Sequence, residues 1–328
     1  SREDRSGEPT RFTLAATPAT TAREGFAEAV RRGLGTDPKS LPCRFFYDAR
    51  GSLLFERITE LSEYYPTRAE RSILRENAAE IARSTKPPVE LVELGSGSAS
   101  KTRLLIESLI EANGSLVFRP IDISRTILEQ SSKALLDAHP ELRIEGLVGE
   151  YEAGLRALAA DGDPQRSRLV LWLGSSIGNL SRESAARFLG LVRRALRASD
   201  RMLVGIDLRK DRETLGLAYD DPAGVTAAFN LNLLVRINRE LGGHFDLEAF
   251  AHEAVYVEDA GRVEIHLVSR REQRVAIDAL ACEVELAAGE RIHTENSYKY
   301  SVAEIDAVGR EAGLGVRVVE PRREHARR

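Results

Sequence analysis

The sequence predicts an α/β fold in which helices cover both faces of a parallel sheet. Between residues 89 and 208, short and nearly continuous apolar segments alternate with amphipathic helical segments, which is typical of strands buried on both faces. Residues 89–101 read as a strand, a glycine turn and a helix, the arrangement in which a nucleotide-like ligand meets the carboxyl end of a parallel strand. After residue 208 a strand-rich pattern predicts a second unit of mixed α and β structure.

Composition narrows the class of protein. The chain has 328 residues, enough for two structural units, and its 42% hydrophobic and 30% charged content is that of a soluble globular protein. The net charge of -4 argues against nucleic acid or an anionic membrane as the main partner. No apolar run approaches the roughly 20 residues that span a bilayer, and no signal peptide is visible. Cys43 and Cys282 are too few for a disulfide framework, so we expect a reducing cytoplasm.

The first 60 residues are expected to contain helices and loops. Residues 1–12 are polar, and we expect them to be disordered. An amphipathic helix within residues 13–40 is predicted to end at Gly35. An aromatic-rich loop over 41–51 precedes a short helix.

A tyrosine–proline run comes before the next helix. Because Tyr64 and Tyr65 stand directly before Pro66, we expect extended backbone there. Thr67 is predicted to cap the helix that follows, with Glu70 completing a capping box.

The alternating region contains five predicted strands, and the crossovers between them should be right-handed. The strands are 89–94, 116–121, 143–148, 169–173 and 202–206, and the helices centre on 104–110, 127–138, 153–160 and 185–196.

The later part of the chain is predicted to contain a long helix over 224–241, which ends at Gly242. Strands at 255–257, 263–268, 274–277 and 282–286 follow at hairpin-like spacing, and then a helix over 302–312 and a last strand over 315–319. We assign residues 73–207 with 301–328 to the core, and residues 13–72 with 208–300 to the second unit.

The first glycine turn does not match a dinucleotide site. Ser100 stands where the third glycine of G-x-G-x-x-G belongs, and the next strand ends late, at Asp122. Acids end the first three strands, at Glu93, Asp122 and Glu150. Carboxylates suit a ligand with ribose hydroxyls, an adenine amine and a positive centre, so S-adenosylmethionine fits better than a nicotinamide dinucleotide.

A competing motif lies after the fourth strand of this region. The run from Gly174 to Gly178 satisfies G-x-S-x-G, so Ser176 is a candidate nucleophile of a serine hydrolase. The next helix, however, begins later, with Ser181 as its predicted cap. The late histidines that would have to supply the base all lie in the second unit: His244, His252, His266 and His293. The other role for this run is a loop that receives the methyl acceptor.

Metal binding is not expected. The six histidines are scattered, and none has ligand spacing that a second Cys or His completes.

Several motifs together resemble the histidine-specific Nα-methyltransferases of ergothioneine biosynthesis. They are Phe46-Tyr47-Asp48, the run 63–70 (EYYPTRAE), the run 93–97 (ELGSG), the run 173–180 (LGSSIGNL), the runs 218–221 (AYDD) and 224–230, and the run 294–299 (TENSYK). The likeness extends from about residue 20 to 315. It implies a Rossmann-like, S-adenosylmethionine-dependent methyltransferase core with a second α+β substrate-binding domain.

The resemblance also implies roles for individual residues. Gly95, Ser96, Gly97, Lys101, Asp122, Glu150 and Tyr151 match positions around S-adenosylmethionine. Asn179 and Tyr219 match groups that hydrogen-bond the carboxylate of the amino acid, beside Gly174. Tyr64 matches a residue next to the reacting amine and Tyr47 one near the imidazole. Glu295 and Ser297 match the pair that reads the imidazole N–H and nitrogen.

The expected reaction is methyl transfer to the α-amine of L-histidine, three times, which gives hercynine. We expect a monomer with a small-molecule acceptor. Alternatives are a tryptophan-like or arginine acceptor, the hydrolase, and a catalytically inactive ligand-binding protein. The sequence departs from the family pattern at Ile265, where members usually carry Met on the wall of the side-chain pocket, and at the basic residues 322–328, where they continue into an apolar strand.

Overall fold

The structure is a computed structural model that describes residues 10–17, 25–160, 163 and 165–319. Within these ranges the strands are, in chain order, β1 (Phe12–Ala16), β2 (Lys39–Ser40), β3 (Val89–Leu94), β4 (Leu116–Asp122), β5 (Leu142–Val148), β6 (Ser167–Trp172), β7 (Arg201–Val204), β8 (Phe250–Val257), β9 (Arg262–Ser269), β10 (Gln273–Ile277), β11 (Cys282–Leu286) and β12 (Arg291–Tyr298).

The helices interleave with these strands as the α/β pattern predicts. They are α1 (Phe26–Leu34), α2 (Ala49–Glu60), α3 (Tyr65–Arg83), α4 (Arg103–Asn113), α5 (Arg125–Ala138), α6 (Tyr151–Ala160), α7 (Arg182–Ala195), α8 (Arg212–Tyr219), α9 (Val225–Leu241) and α10 (Val302–Glu311). Short 3-10 helices occupy Cys43–Phe46, Ser176–Asn179, Leu247–Ala249 and Asp278–Leu280.

A six-stranded parallel sheet forms the centre of the molecule, in the order β1-β5-β4-β3-β6-β7. The chain runs from β3 through β4 to β5 on one side, and then returns to β6 and β7 on the other. The strand order therefore reverses between β3 and β6, which is where ligands bind in open sheets of this kind. All six residues of β3 are buried, as a strand covered on both faces requires. The predicted Rossmann-like α/β fold is confirmed.

A second sheet packs beside the first, in the order β2-β12-β9-β8, and β10 and β11 form a separate antiparallel pair. The burial of β9 alternates along the strand, with Val263, Ile265 and Leu267 facing the interior. Helix α9 packs on this sheet and contributes Phe229 and Leu233 to the same hydrophobic core.

The five strands predicted in the alternating region all form, and the predicted cap of α7 is present because Ser181 accepts a hydrogen bond from the Ser184 N–H. Gly242 ends α9 in a left-handed conformation, as its position predicts.

The predicted capping box before α3 is wrong. The helix begins at Tyr65 with Tyr64 at its N-cap, and Pro66 lies in the first turn. A proline costs nothing there, because the first N–H groups of a helix have no partner within it. Thr67 lies inside the helix and therefore cannot cap it. The Glu70 side chain makes its contacts at the candidate active site and not at the start of the helix.

One prediction about the start of the chain also needs correction. The segment 12–16 was placed outside the core, but β1 pairs in parallel with β5, so it belongs to the central sheet. Residues 1–9 of the segment expected to be disordered lie outside the described residues.

The last predicted strand, 315–319, does not form. Val316 packs closely on Gly309 of α10 instead of reaching a sheet edge. Residues 322–328 lie outside the described part of the chain.

No helix in the described residues is both long and apolar enough to cross a membrane. Within the same residues, no group of three or more His, Cys, Asp or Glu side chains is arranged to hold a metal ion.

A buried ion cluster ties three strands of the central sheet together. Glu90 of β3 pairs with Arg168 of β6 at 2.6 Å and with Arg119 of β4 at 2.8 Å. Arg168 also donates to the Leu158 carbonyl at 2.7 Å. Glu90 and Arg168 are almost fully buried, so each charge depends on the other for compensation.

Replacing Glu90 by Gln is expected to lower the free energy of unfolding by about 3–5 kcal/mol, because the buried Arg168 loses its counter-charge. Urea denaturation measures the change. Glu145→Gln is the matched control, since Glu145 pairs with the same Arg119 but is more exposed, and its loss should cost about 1 kcal/mol or less. Equal losses in the two variants would contradict this interpretation.

Candidate active site

A cavity of about 690 Å³ lies at the carboxyl ends of the parallel strands, between the central sheet and the second sheet. All fifteen residues predicted for the site line it: Tyr47, Tyr64, Gly95, Ser96, Gly97, Lys101, Asp122, Glu150, Tyr151, Gly174, Asn179, Tyr219, Ile265, Glu295 and Ser297. Its volume is in the range of small-molecule sites. Residues that are distant in sequence therefore meet around one space.

The glycine turn after β3 needs its glycines for two reasons. Gly95 and Gly97 have φ values of 72° and 50°, the left-handed region that side chains disfavour. The Tyr151 hydroxyl also approaches Gly95 so closely that a Cβ there would lie only 2.5 Å from it. Tyr151 is held against Trp172 and Phe188 by ring contacts. Its ring is thus fixed beside the turn.

Glu93 lies buried beneath this turn. One carboxylate oxygen accepts a hydrogen bond from Thr102 Oγ1 at 2.6 Å, and the other, Oε2, has no partner among the described residues. Burial raises the pKa of Glu93 to about 8, although the Thr102 hydrogen bond opposes the shift. A solvated strand end would show neither feature.

Asp122 closes the neighbouring strand end. Its carboxylate accepts hydrogen bonds from the Gly97 N–H at 3.1 Å and from the Ser124 N–H at 2.9 Å. Burial raises the pKa of Asp122 despite these N–H donors. The carboxylate is therefore held at the mouth of the glycine turn.

Glu70, which the sequence interpretation assigned to a helix cap, supports the site through contacts with two residues of its lining. Its carboxylate forms an ion pair with Lys101, and it accepts the Gly174 N–H at 2.8 and 3.1 Å. A Cβ at Gly205 would overlap Glu70 Oε1, so a larger residue there would displace this carboxylate. One carboxylate thus links α3, the glycine turn and the loop after β6. The run EYYPTRAE offered no signal for this, because it fits a capping box equally well.

Aromatic hydroxyls surround the other end of the cavity. The Tyr219 hydroxyl lies 2.8 Å from Ser297 Oγ, and the rings of Tyr64 and Tyr219 meet edge to face at 6.2 Å. Tyr47 packs against Phe55 and Phe229. Burial raises the pKa of the Tyr64 and Tyr219 hydroxyls well above the ordinary value. They therefore remain protonated at neutral pH.

A β-bulge brings Glu295 into the cavity. His293 and Glu295 are two residues apart and would share a face in a regular strand. The register of β12 against β9 shifts between them, so His293 faces His266 on the outer side while Glu295 lies opposite Ile265.

Thr294, the bulged residue, is anchored by its hydroxyl, which lies 3.0 Å from the Ile265 carbonyl and 2.8 Å from Asn230 Oδ1. Glu295 itself has no protein hydrogen-bond partner among the described residues. Burial raises its pKa to about 7, with the charge of Lys299 opposing the shift.

Lys299 is the second residue that the sequence interpretation missed. It is fully buried and donates hydrogen bonds to the Tyr219 hydroxyl at 2.6 Å and to Ser297 Oγ at 3.0 Å. It also pairs with Asp207 at 2.9 Å. A buried lysine normally has a counter-ion, but nothing in the sequence indicates which acid that is.

The geometry does not support the serine hydrolase. Ser176 Oγ donates to the Leu173 carbonyl at 2.9 Å, and no histidine among the described residues hydrogen-bonds it. Gly178 is explained by close packing, since a Cβ there would lie 2.8 Å from the Tyr298 carbonyl oxygen of β12. The loop 174–179 instead contributes Gly174 and Asn179 to the cavity.

Comparison with known proteins gives consistent results. A family model described as "Histidine-specific methyltransferase, SAM-dependent" matches residues 26–320. The histidine N-alpha-methyltransferase of Mycolicibacterium smegmatis is 44% identical over 90% of this chain and 91% of that protein. That of Mycobacterium tuberculosis is 42% identical over 87% of each chain. Ergothioneine biosynthesis protein 1 of Neurospora crassa is 35% identical over 84% of this chain and 31% of that protein.

Gly205→Ala is expected to raise the dissociation constant for S-adenosylmethionine about tenfold, because displacing Glu70 releases both Lys101 and the Gly174 N–H (a tenfold change is about 1.4 kcal/mol). Isothermal titration calorimetry measures the constant. Gly216→Ala is the matched control, since nothing lies within 4 Å of a Cβ at that position. Unchanged affinity in Gly205→Ala would show that Glu70 does not organise the site.

The raised pKa of Glu295 predicts a dependence of stability on pH. The pKa of the folded protein, about 7, exceeds the ordinary value of 4.5. The folded protein therefore keeps a proton that the unfolded chain releases, and stability falls as pH rises through this window. Glu295→Gln cannot ionise, so its free energy of unfolding relative to wild type should rise by about 2 kcal/mol across the window.

Urea denaturation of both proteins at about pH 5 and about pH 8 tests this. Glu283→Gln, at an exposed carboxyl, is the control. A difference between Glu295→Gln and wild type that does not change with pH would contradict the prediction.

Proposed function

Since the chain belongs to the family of histidine-specific, S-adenosylmethionine-dependent methyltransferases, we propose that it transfers methyl groups from S-adenosylmethionine to the α-amine of L-histidine. Three transfers give Nα,Nα,Nα-trimethylhistidine (hercynine), the intermediate expected in ergothioneine biosynthesis. The observation that carries the proposal is a single cavity with acidic groups around a glycine turn at one end and, at the other, the half-buried carboxylate of Glu295, which has no hydrogen-bond partner among the described residues.

The residues at the first end fit the sulfonium nucleoside. Glu93 has an unpartnered buried oxygen, and Asp122 is a carboxylate at the carboxyl end of the neighbouring strand. Carboxylates suit ribose hydroxyls and a cationic centre. The left-handed backbone at Gly95 and Gly97 lets the chain approach the ligand closely. Glu70 orients Lys101, whose other donors are free for an anionic group of the cofactor.

The second end suits an imidazole. Glu295 can accept the ring N–H in a charge-assisted bond, and Ser297 can donate to the other ring nitrogen. A side chain without these groups would leave the carboxylate buried and unpaired, which is the strongest basis for discrimination in such sites. We assign Asn179 to the carboxylate of the amino acid. Tyr219, whose hydroxyl lies 2.8 Å from Ser297 Oγ, is assigned to the imidazole end together with Ser297, rather than to the carboxylate that the family resemblance implies.

When bound, S-adenosylmethionine supplies an electrophilic methyl group. The neutral α-amine would attack this methyl carbon in line, so that an N–C bond forms and the S–C bond breaks. The ammonium formed in the first and second transfers loses a proton, whereas the third transfer leaves a quaternary ammonium that has no proton to lose. Tyr64 orients the amine, and because its pKa is raised it acts as a hydrogen-bond partner rather than as a tyrosinate base. The proton leaves to water. The contribution of the enzyme is mainly positioning and removal of water from the amine.

Other acceptors fit this end less well. An indole offers one N–H to Glu295 but no acceptor for Ser297. An arginine side chain has only donors, whereas Tyr219 and Ser297 already accept from Lys299. Ile265 lies opposite Glu295 in the wall of the pocket, and its β-branched side chain is stiffer than the methionine that the family resemblance leads us to expect there.

Glu295→Ala is expected to lower kcat/KM for histidine roughly hundredfold, because the imidazole N–H loses its acceptor. The affinity for S-adenosylmethionine should not change. The matched control is Glu253→Ala, since Glu253 is in the same sheet but pairs with Arg291 at its surface. Unchanged kcat/KM in Glu295→Ala would exclude the imidazole-reading role.

The acceptor and the number of methyl groups can be determined together. Incubation with S-adenosylmethionine and a mixture of the twenty amino acids, followed by mass spectrometry, should show histidine carrying up to three methyl groups. A methylated product from another amino acid alone would overturn the histidine assignment, and no methylated product would overturn the enzyme assignment.

A further inference from the structure

The buried side of the acceptor site contains a lysine with three close partners, two that accept its hydrogen bonds and one that forms an ion pair. The Lys299 ammonium lies 2.6 Å from the Tyr219 hydroxyl, 3.0 Å from Ser297 Oγ and 2.9 Å from Asp207 Oδ2. An ammonium has three donors and no acceptor. Lys299 is 0% exposed, so water does not replace any of these contacts.

This arrangement determines which way the two hydroxyls point their hydrogens. Neither Tyr219 nor Ser297 can donate to Lys299, because the ammonium accepts nothing. The two hydroxyls lie 2.8 Å apart and share one hydrogen bond, which uses one of their two hydrogens. No other protein acceptor for either hydroxyl occurs among the described residues. At least one hydroxyl hydrogen is therefore left for a ligand in the cavity.

We propose that Lys299 is a positioning residue that directs the remaining hydroxyl hydrogen of the Tyr219–Ser297 pair into the cavity, so that this pair selects a hydrogen-bond acceptor on the substrate. The inference rests on the proposed function and deepens it. Glu295 accepts and the hydroxyl pair donates, which together match a neutral imidazole with one N–H and one bare nitrogen. Lys299 thereby selects the tautomer of the ring without touching the substrate.

Asp207 holds Lys299 in this position. Burial alone would raise the pKa of Asp207, but the charges of Lys299 and Lys210 hold it below the ordinary value. The carboxylate also accepts from the Tyr65 hydroxyl at 2.6 Å and from Lys210 at 2.7 Å. It is therefore ionised at neutral pH and supplies the counter-charge of the buried lysine.

The charge of Lys299 has a second effect, on Glu295. Burial raises the pKa of Glu295, and Lys299 is the cation that opposes the rise. The titratable groups that face Glu295 from other elements are neutral at physiological pH: Cys43, Tyr47, Tyr64 and Tyr219. Without Lys299, ionised Glu295 would face only neutral groups.

The test uses Lys299→Met combined with Asp207→Asn, which removes the buried ion pair without leaving one charge alone. Dissociation constants for L-histidine and for 3-(2-thienyl)-L-alanine, a ring of similar size without nitrogen, are measured by calorimetry with S-adenosylhomocysteine present. The preference for histidine should fall about tenfold relative to wild type, because the hydroxyls can now turn away from the ligand. The affinity for histidine falls at acidic pH as Glu295 becomes protonated, and we call this part of the pH profile the acid limb. It should move to higher pH in the variant, because the pKa of Glu295 rises when the charge of Lys299 is removed.

Lys210→Met is the matched control, since Lys210 contacts Asp207 but neither hydroxyl. The Lys210→Met variant should keep the wild-type preference for histidine and the wild-type pH dependence of histidine binding. If the methionine variant does not fold, Lys299→Gln with Asp207→Asn takes its place. Its amide oxygen can accept from a hydroxyl, so both changes should occur in the same directions.

The outcomes separate the two proposals. A wild-type protein that transfers no methyl group to histidine overturns the proposed function. Wild-type transfer, combined with an unchanged preference and an unchanged acid limb in the folded double variant, overturns the role of Lys299 and shows that the ion pair is a structural cross-link only.

Discussion

The buried ion pair between Lys299 and Asp207 is the side-chain contact that joins the two sheets where the cavity lies. Asp207 follows β7, an edge strand of the central sheet, and Lys299 follows β12 of the second sheet. The Tyr300 N–H donates to the Asp207 carbonyl at 3.0 Å, so the backbone joins the sheets at the same point. The cavity lies where they meet. A buried pair of this kind stabilises little by itself, but loss of one partner is costly, so it specifies one relative position of the two sheets.

Three glutamates differ in how completely other residues of the protein satisfy their carboxylates. Glu90 has two arginine partners in the central sheet. Glu93 has a hydrogen bond to only one of its oxygens, and Glu295 has no protein partner among the described residues. Burial raises the pKa of both Glu93 and Glu295. The incompletely partnered carboxylates are the ones at the two ends of the cavity, where a ligand can complete their bonding.

Local patterns predicted the central sheet well and the site only in part. The strand 89–94 forms with the predicted bounds, because its apolar residues are buried on both faces whatever lies next to them. The segment 315–319 had the same kind of pattern but pairs with neither edge of the central sheet, and Val316 packs on α10 instead. Glu70 was misassigned because a capping box is a local rule, while its partners Lys101 and Gly174 are distant in sequence.

The sequence by itself determined the α/β fold, the glycine turn at Gly95 and, through motifs shared with a family, the residues that surround one cavity. These follow from periodicity, from glycine's backbone freedom and from short runs of residues, all of which can be read along the chain. Only the tertiary structure decided that a bulge at Thr294 turns Glu295 inward, and that Lys299 lies behind Tyr219 and Ser297. Register shifts and buried ion pairs depend on which segments meet in space, and no local pattern contains that information.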